Sequence, residues 1–387
     1  MIQETEPKSK ETIRPERIQL AESGGNEGPV VVLFVGIHGN ETAGVSAIVN
    51  VLKQGLADEE KLKGSLYAIR GNIEALKRGV RYIDTDLNRL WEIFDTDRDY
   101  SHPYRQTENV PAEYDESLQI KSAIEEILEK HGHDEEIIFA DLHTTSSESC
   151  AFILLNDTLN NRQIARKFPV PQVLGIEENI HGTLLSYINN LGYRAIGFEA
   201  GAHTSEDSVK RSEAFIYLLL HYTGLIKLGR EKLLEAEEEI QAHASVPDTY
   251  FDIRYHHYVA DPENFNMFPG FHNFDPVEKG TPLAYDNGKL IKAPESGRIF
   301  MPLYQKKGND GFLILDRVSP FWLTLSSWFR NSSVHGILRY LPGVTKKSRQ
   351  VYEVDRRIAK FLVKEIFHLL GYRVLEKNDE TFICYRR

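Results

Sequence analysis

The run Pro29-Val-Val-Val-Leu-Phe-Val-Gly36 is apolar without alternation, so it cannot be a strand with one wet face. It reads as a strand buried on both faces, the situation of a central strand in an α/β sheet. Ile137-Ile-Phe-Ala-Asp-Leu-His143 has the same character, and Leu66–Arg70, Ala151–Leu155 and Ala195–Glu199 are shorter candidates. Helical spacing of apolar residues falls between and after them, over Val45–Gln54, Glu116–His131, Asp207–Tyr222 and Glu231–His243. Strands alternating with helices predict an α/β fold with a mostly parallel sheet and helices on both faces.

With 387 residues the chain has material for two or three compact units, at roughly 100 to 200 residues each. Its character changes after Val246, where Pro247, Pro262, Pro269, Pro276, Pro282, Pro294 and Pro302 are interleaved with glycines and short apolar segments. That pattern suits many turns and short strands. The expected division is an α/β domain over 1–245, a small all-β domain over 246–330, and a C-terminal extension over 331–387. In the extension, Val351, Ile358, Phe361, Leu362, Ile366 and Leu369 predict a helix over about Arg349–Leu370, followed by a hairpin at Tyr372–Tyr385. The polar stretch Trp91–Asp115 reads as a long surface excursion, and the aromatics of Phe321–Trp328 as core or domain interface.

Charge narrows the partners. There are 46 basic against 57 acidic residues, a formal charge of −11 spread along the chain, and no basic stripe suited to nucleic acid or an anionic membrane. Cys150 and Cys384 are the two cysteines, too few and too far apart for a disulfide framework, which suits a reducing compartment. No apolar run approaches the ~18 residues of a membrane span, and Met1–Arg17 has no apolar core for targeting. A cytoplasmic protein acting on a small molecule is expected, and a homo-oligomer is compatible with all of this.

Chemistry gathers at the strand ends. His38 and Glu41 follow the first buried strand, and His143 ends another. Loops at the carboxyl ends of strands line the crevice of an open α/β sheet. Two imidazoles and one carboxylate with an open position describe a catalytic zinc site. Asp141, two residues before His143, could orient a ligand ring through its second nitrogen. Glu199, in Gly197-Phe-Glu-Ala-Gly201 at a third strand end, is the candidate for a proton-transferring carboxylate outside the metal's ligands. Arg81-Tyr-Ile-Asp-Thr-Asp-Leu-Asn-Arg89 supplies donors for carboxylates and a cation for a developing oxyanion.

Taken in order, His38-Gly-Asn-Glu41, Gly71-Asn72, Arg81–Arg89, Asp141-Leu-His143 and Gly197–Gly201 resemble the succinylglutamate desuccinylase/aspartoacylase family of zinc carboxypeptidase-like hydrolases. The resemblance covers about Val30–Gly201, and the Pro/Gly-rich region resembles that family's carboxy-terminal β domain. It implies one zinc ion on His38, Glu41 and His143, with Glu199 as general base and then acid. It further implies Arg81 polarising the scissile carbonyl, and Asn88 and Arg89 on the substrate's carboxylate. In aspartoacylase-like members another arginine before the catalytic glutamate and a tyrosine of the β domain fix the substrate. Here Arg194, closer to Glu199 than in that pattern, and Tyr304 are the candidates.

The implied activity is hydrolysis of the amide bond of a small N-acyl amino acid or similar carboxylate-bearing amide. The alternatives are a metallocarboxypeptidase acting on peptides and a non-catalytic binding protein on the same fold. His203 and His181 are read as neutral surface or supporting residues, and His256-His257 receive no role.

Overall fold

The computed structural model describes residues 16–22, 28–56, 62–94, 110–132, 135–332, 338–348, 350–359, 363–378 and 380–386. The central part of the expected excursion, 95–109, lies outside them. The chain forms two compact units, 1–145 with 182–240, and 146–181 with 241–387.

In chain order the first stretch contains β1 (Ile18–Glu22), β2 (Val30–Val35), α1 (Ala43–Val51), β3 (Ser65–Arg70), α2 (Ile73–Arg78), α3 (Ala112–His131) and β4 (Ile137–Thr145). Then come β5 (Phe152–Leu155), α4 (Leu159–Ala165), β6 (Gln172–Leu174), α5 (Leu184–Asn190), β7 (Arg194–Ala202), α6 (Glu206–Thr223) and α7 (Arg230–Gln241). In the first unit the strand order is β1-β3-β2-β4-β7. All neighbours are parallel except β1, which pairs antiparallel with β3.

Every residue of β2 and β4 is buried, and the reason is visible on both faces. Val30, Val32 and Phe34 join one core with Ile120, Ala123 and Ile124 of α3 and Leu184 and Ile188 of α5. On the other side Phe198 stacks on Phe215 of α6 at 4.1 Å, and a Cβ on Gly44 of α1 would touch Leu142 and Val35. This is the mixed, largely parallel α/β architecture expected. Because the strands are parallel, the carboxyl ends of β2, β4 and β7 lie along one edge, and His143 is registered directly beside Glu199.

The second unit begins earlier than the change in composition at Val246. Residues 146–181 belong to it, because β5 pairs with β6 and β6 with β8 (Tyr250–Tyr258), both parallel. Next come β9 (Phe265–Met267), β10 (Pro276–Val277), β11 (Pro282–Asp286), β12 (Lys289–Lys292), β13 (Gly297–Phe300), β14 (Asp310–Val318) and α8 (Pro320–Asn331). They order as β5-β6-β8-β14-β13-β10 and as a three-stranded sheet, β12-β11-β9. The aromatics of 321–328 are not core. Phe321, Trp322 and Trp328 are 65%, 54% and 62% exposed, because α8 turns Ser326 inward, its hydroxyl donating to Leu369 O at 3.0 Å.

The tail carries β15 (Val344–Lys346), β16 (Val351–Asp355), α9 (Val363–Leu369), β17 (Tyr372–Asn378) and β18 (Thr381–Arg386). The expected hairpin is present as β17–β18, but the expected long helix is not. Val351 to Asp355 pair with β18 instead, so α9 starts only at Val363. Tyr352 and Val354 alternate into the core, a period-two pattern that the scattered apolar residues concealed. Among the described residues no helix is long and apolar enough to cross a membrane.

Candidate metal and hydrolytic site

The site is built on tight backbone turns. A Cβ on Gly39 would lie 2.1 Å from the Ala75 carbonyl carbon, and one on Gly71 would lie 2.5 Å from Ile37 Cα. The His38–Glu41 turn therefore packs main chain to main chain against the β3–α2 turn, which only glycine permits. Asn72 caps α2 by accepting from Ala75 N at 3.0 Å and donates its amide to Glu113 at 3.0 Å. Glu113, fully buried, accepts from the backbone N–H groups of Ile83, Asp84 and Thr85. It thereby holds the Arg81–Arg89 segment against the turns.

His38, Glu41 and His143 converge: one ligand atom from each lies within 4.8 Å of the others. Glu41 sits between the rings, with Oε1 2.9 Å from His38 Nδ1 and Oε2 2.9 Å from His143 Nδ1. The Thr144 N–H also donates to Oε2, at 3.1 Å. Each ring's opposite nitrogen faces another carboxylate, His38 Nε2 at 3.0 Å from Asp86 Oδ1 and His143 Nε2 at 2.8 Å from Asp141 Oδ2. Two imidazoles with Nδ1 toward one carboxylate and a further carboxylate beside each Nε2 resemble the arrangement of ligating histidines, although only the His38–Asp86 contact is a hydrogen bond. Asp141 was foreseen. Asp86 was not singled out, although it stands in the quoted Arg81–Arg89 segment, because nothing in its spacing indicates which carboxylate of Asp84-Thr-Asp86 meets His38.

The electrostatics follow from burial and these pairs. Burial alone would raise Glu41, but His38 and His143 outweigh it and hold its carboxyl well below the usual range. Asp86 is also held well below, with His38 and Arg81 overcoming its burial. Burial opposes charge on His143, yet Asp141 and Glu41 raise its pKa well above the ordinary imidazole value. Glu199 is the opposite of Glu41. Burial raises its pKa well above normal; His143 pulls it down, Glu41 and Asp141 push it up, and Arg81 opposes them. Its Oε2 is buried and has no hydrogen-bond partner among the described residues.

Arg81 reaches Asp86 at 3.0 Å and Glu41 at 3.4 Å, placing a cation beside the cluster. Asn88 is buried, with Oδ1 accepting from Leu184 N at 2.8 Å, and Arg89 donates to Asn88 O at 2.8 Å. Arg194 is not brought here. It begins β7, five residues before Glu199 along the extended strand, and pairs with Glu136 near the surface. Tyr304, in the second unit, uses its hydroxyl on the 268–271 turn, donating to the Phe268 and Phe271 carbonyls and accepting from Phe271 N.

Comparisons with known proteins identify the chain's relatives. A model of the succinylglutamate desuccinylase/aspartoacylase catalytic domain matches residues 27–222. The succinylglutamate desuccinylase of Shewanella piezotolerans is 26% identical over 279 residues, 68% of this chain and 74% of that protein. An N-acyl-aromatic-L-amino acid amidohydrolase (carboxylate-forming) of Xenopus laevis is 27% identical over 289 residues, 67% of this chain and 87% of that protein. The crystal structure of a succinylglutamate desuccinylase/aspartoacylase from Rhodobacter sphaeroides shares the fold, with a TM-score of 0.56 at 16% identity. That match covers 78% of this chain and 89% of the other.

Proposed function

Because the chain belongs to the succinylglutamate desuccinylase/aspartoacylase family, we propose that it is a deacylase cleaving the amide bond of a small, carboxylate-bearing N-acyl amino acid or similar amide. His38, Glu41 and His143 would hold the zinc ion. One observation carries this reading: three strand ends bring a two-imidazole, one-carboxylate donor set beside a buried carboxyl group, Glu199, whose Oε2 has no hydrogen-bond partner among the described residues. The donor set fits zinc, which favours nitrogen and oxygen ligands with a position left open, and carboxylates orient both rings. Bound there, zinc supplies Lewis acidity and a water whose pKa falls from 15.7 toward about 7.

Glu199 then does the proton work. Its Oε2 takes a proton from the attacking water and delivers it to the amide nitrogen as the carbon–nitrogen bond breaks. A carboxyl pushed upward by burial holds a proton more readily than an exposed one, which suits it to accept a proton and pass it on. Arg81 faces the oxygen of the scissile carbonyl and stabilises charge developing there, itself steadied by Asp86. Arg89 supplies the planar donor pair for the substrate's carboxylate, and Asn88 contributes through its amide nitrogen, its oxygen being taken by Leu184.

The relatives support an amino acid carrying an acyl group as the shared substrate element: one is named for removing succinyl from glutamate, another for N-acyl aromatic amino acids. The test is elemental analysis followed by hydrolysis of N-succinyl-L-glutamate, N-acetyl-L-aspartate, N-acetyl-L-phenylalanine and blocked dipeptides. About one zinc per chain and faster cleavage of the N-acyl amino acids are expected. Absence of stoichiometric divalent metal would overturn the enzyme reading. Faster cleavage of the dipeptides would make the chain a peptidase.

A further inference from the structure

His203 lies four residues beyond Glu199, just past the end of β7, and its backbone N–H donates to Thr145 O at 3.0 Å. Its Nδ1 is 2.7 Å from the Thr144 hydroxyl, and the Thr144 backbone N–H donates to Glu41 Oε2. The ring is therefore anchored to the strand end that presents His143. Its other nitrogen, Nε2, is buried and has no hydrogen-bond partner among the described residues.

The three imidazoles at this edge differ in what flanks them. His38 has a carboxylate at hydrogen-bond distance from both nitrogens, and His143 has Glu41 on Nδ1 and Asp141 Oδ2 2.8 Å from Nε2, whereas His203 has a hydroxyl on one side and, among the described residues, no hydrogen-bond partner on the other. It is not one of the three converging donors. A buried polar atom without a partner carries a desolvation penalty that a bound ligand would remove. The charges acting on this ring are those of Glu41, Arg81, His38 and His143, so it belongs to the same site. Burial lowers its pKa first, with Arg81, His38 and His143 adding to the effect against Glu41, which keeps the imidazole uncharged near neutrality.

We infer that His203 is a substrate-contacting residue of this site, its Nε2 making a hydrogen bond to an uncharged polar atom of the bound N-acyl amino acid, with the Thr144 hydroxyl setting the ring's orientation. The inference rests on the function proposed above. An uncharged imidazole is suited to an amide or acyl oxygen or nitrogen, while carboxylates are better met by the guanidinium groups of Arg81 and Arg89.

The experiment compares His203→Ala, His203→Gln and Thr144→Val with the parent, all zinc-loaded, on N-succinyl-L-glutamate, N-acetyl-L-aspartate and N-acetyl-L-phenylalanine. Calorimetry on Glu199→Gln protein, with and without His203→Ala, reads binding of the same amides separately from turnover. Loss of the contact should lower kcat/KM about 30-fold and amide affinity about tenfold, with zinc content and melting temperature unchanged. Glutamine can place an amide nitrogen near the Nε2 position and should recover most of the loss; Thr144→Val should raise KM about threefold to tenfold. An active parent indifferent to His203→Ala overturns the inference alone. So does a loss that accompanies reduced zinc content and is not recovered by glutamine, since the ring is then structural. A parent inert to all three amides overturns the proposed function and this inference with it.

Discussion

Two groups of histidines and carboxylates in this molecule use the same residue types and arrive at opposite arrangements. At the strand ends of the first unit, His38 and His143 share Glu41, their ring centroids 5.1 Å apart. The side chains of His38, Glu41 and His143 are 5%, 3% and 9% exposed. On β8 of the second unit, His256 pairs with Asp310 and His257 with Asp286, each at 3.0 Å, and these four side chains are 12–21% exposed. Adjacent residues of a strand point to opposite faces, so His256 and His257 cannot converge and each takes its own carboxylate. Giving each ring its own acid leaves two separate pairs; placing one acid between two rings, with further acids behind them, leaves a donor set that a cation completes. Convergence, rather than residue count, separates a site from an ion pair.

The largest effect that tests this contrast is removal of one of the two converging imidazoles. His143→Ala should abolish stoichiometric zinc and lower kcat/KM by more than about 10⁴-fold, while His256→Ala should leave both within about twofold. Elemental analysis and steady-state rates check the pair. Equal losses at the two positions would show that the β8 histidines are not separate from the site. Next in size is Glu199→Gln, which keeps shape and removes the proton acceptor. Zinc should stay bound while kcat falls by about 10²–10⁴-fold, and unchanged turnover would remove Glu199 from the chemistry.

The same contrast explains what could be read in the sequence. Unbroken apolar runs announced β2 and β4, and parallel strands put their ends on one edge, so His38, Glu41, His143 and Glu199 were legible together. Residues that act across long sequence separations were not. Glu113 reaches the 83–85 backbone from beyond Pro111, and Asp86 reaches His38 across 48 positions; no local period encodes either contact. Nearness in sequence does not bring Arg194 to the site, because the five residues from Arg194 to Glu199 run extended along β7. The tail misled because Val351 and its neighbours are compatible with a helical stripe until pairing with β18 decides for a strand.

A smaller effect sharpens the comparison through the acids behind the rings. Asp86→Asn should weaken zinc binding about 10–100-fold without abolishing it, read by competition with a chromophoric chelator. Protons should report the same arrangement. Burial opposes charge on His143, but Asp141 and Glu41 raise its pKa, so near neutrality the metal-free ring holds a proton that a ligating nitrogen must give up. Zinc affinity should therefore rise with pH until the ring's raised pKa is passed, and calorimetry in two buffers should show release of about one proton per zinc. The sign for stability is opposite. Protonated His143 adds stability to the metal-free fold that is complete below about pH 6.5 and is lost as pH rises through the raised value. Glu41 and Asp86, both lowered, add stability that is lost as pH falls below the usual carboxylate range. The metal-free protein should thus melt highest in mildly acidic buffer, and zinc should move that maximum upward in pH.

The smallest expected effect lies on the other side of the comparison. Asp286→Ala removes the carboxylate from His257, yet the ring keeps its stacking on Phe312, with centroids 5.1 Å apart and planes at 10°. It also keeps the Tyr255 hydroxyl 3.2 Å from Nδ1. Both members of the pair have some access to solvent, at 12% and 17% exposure, so water can replace the lost partner. The cost should be about 0.5–1.5 kcal/mol of unfolding free energy, seen as a lower denaturant midpoint with an unchanged slope. Zinc content and kcat/KM should not move. A pair that closes on itself has only local stability to lose, whereas Asp86 acts through a ring that must stay available to something else. If Asp286→Ala weakened zinc binding as Asp86→Asn does, the distinction between paired and converging imidazoles would not describe this protein.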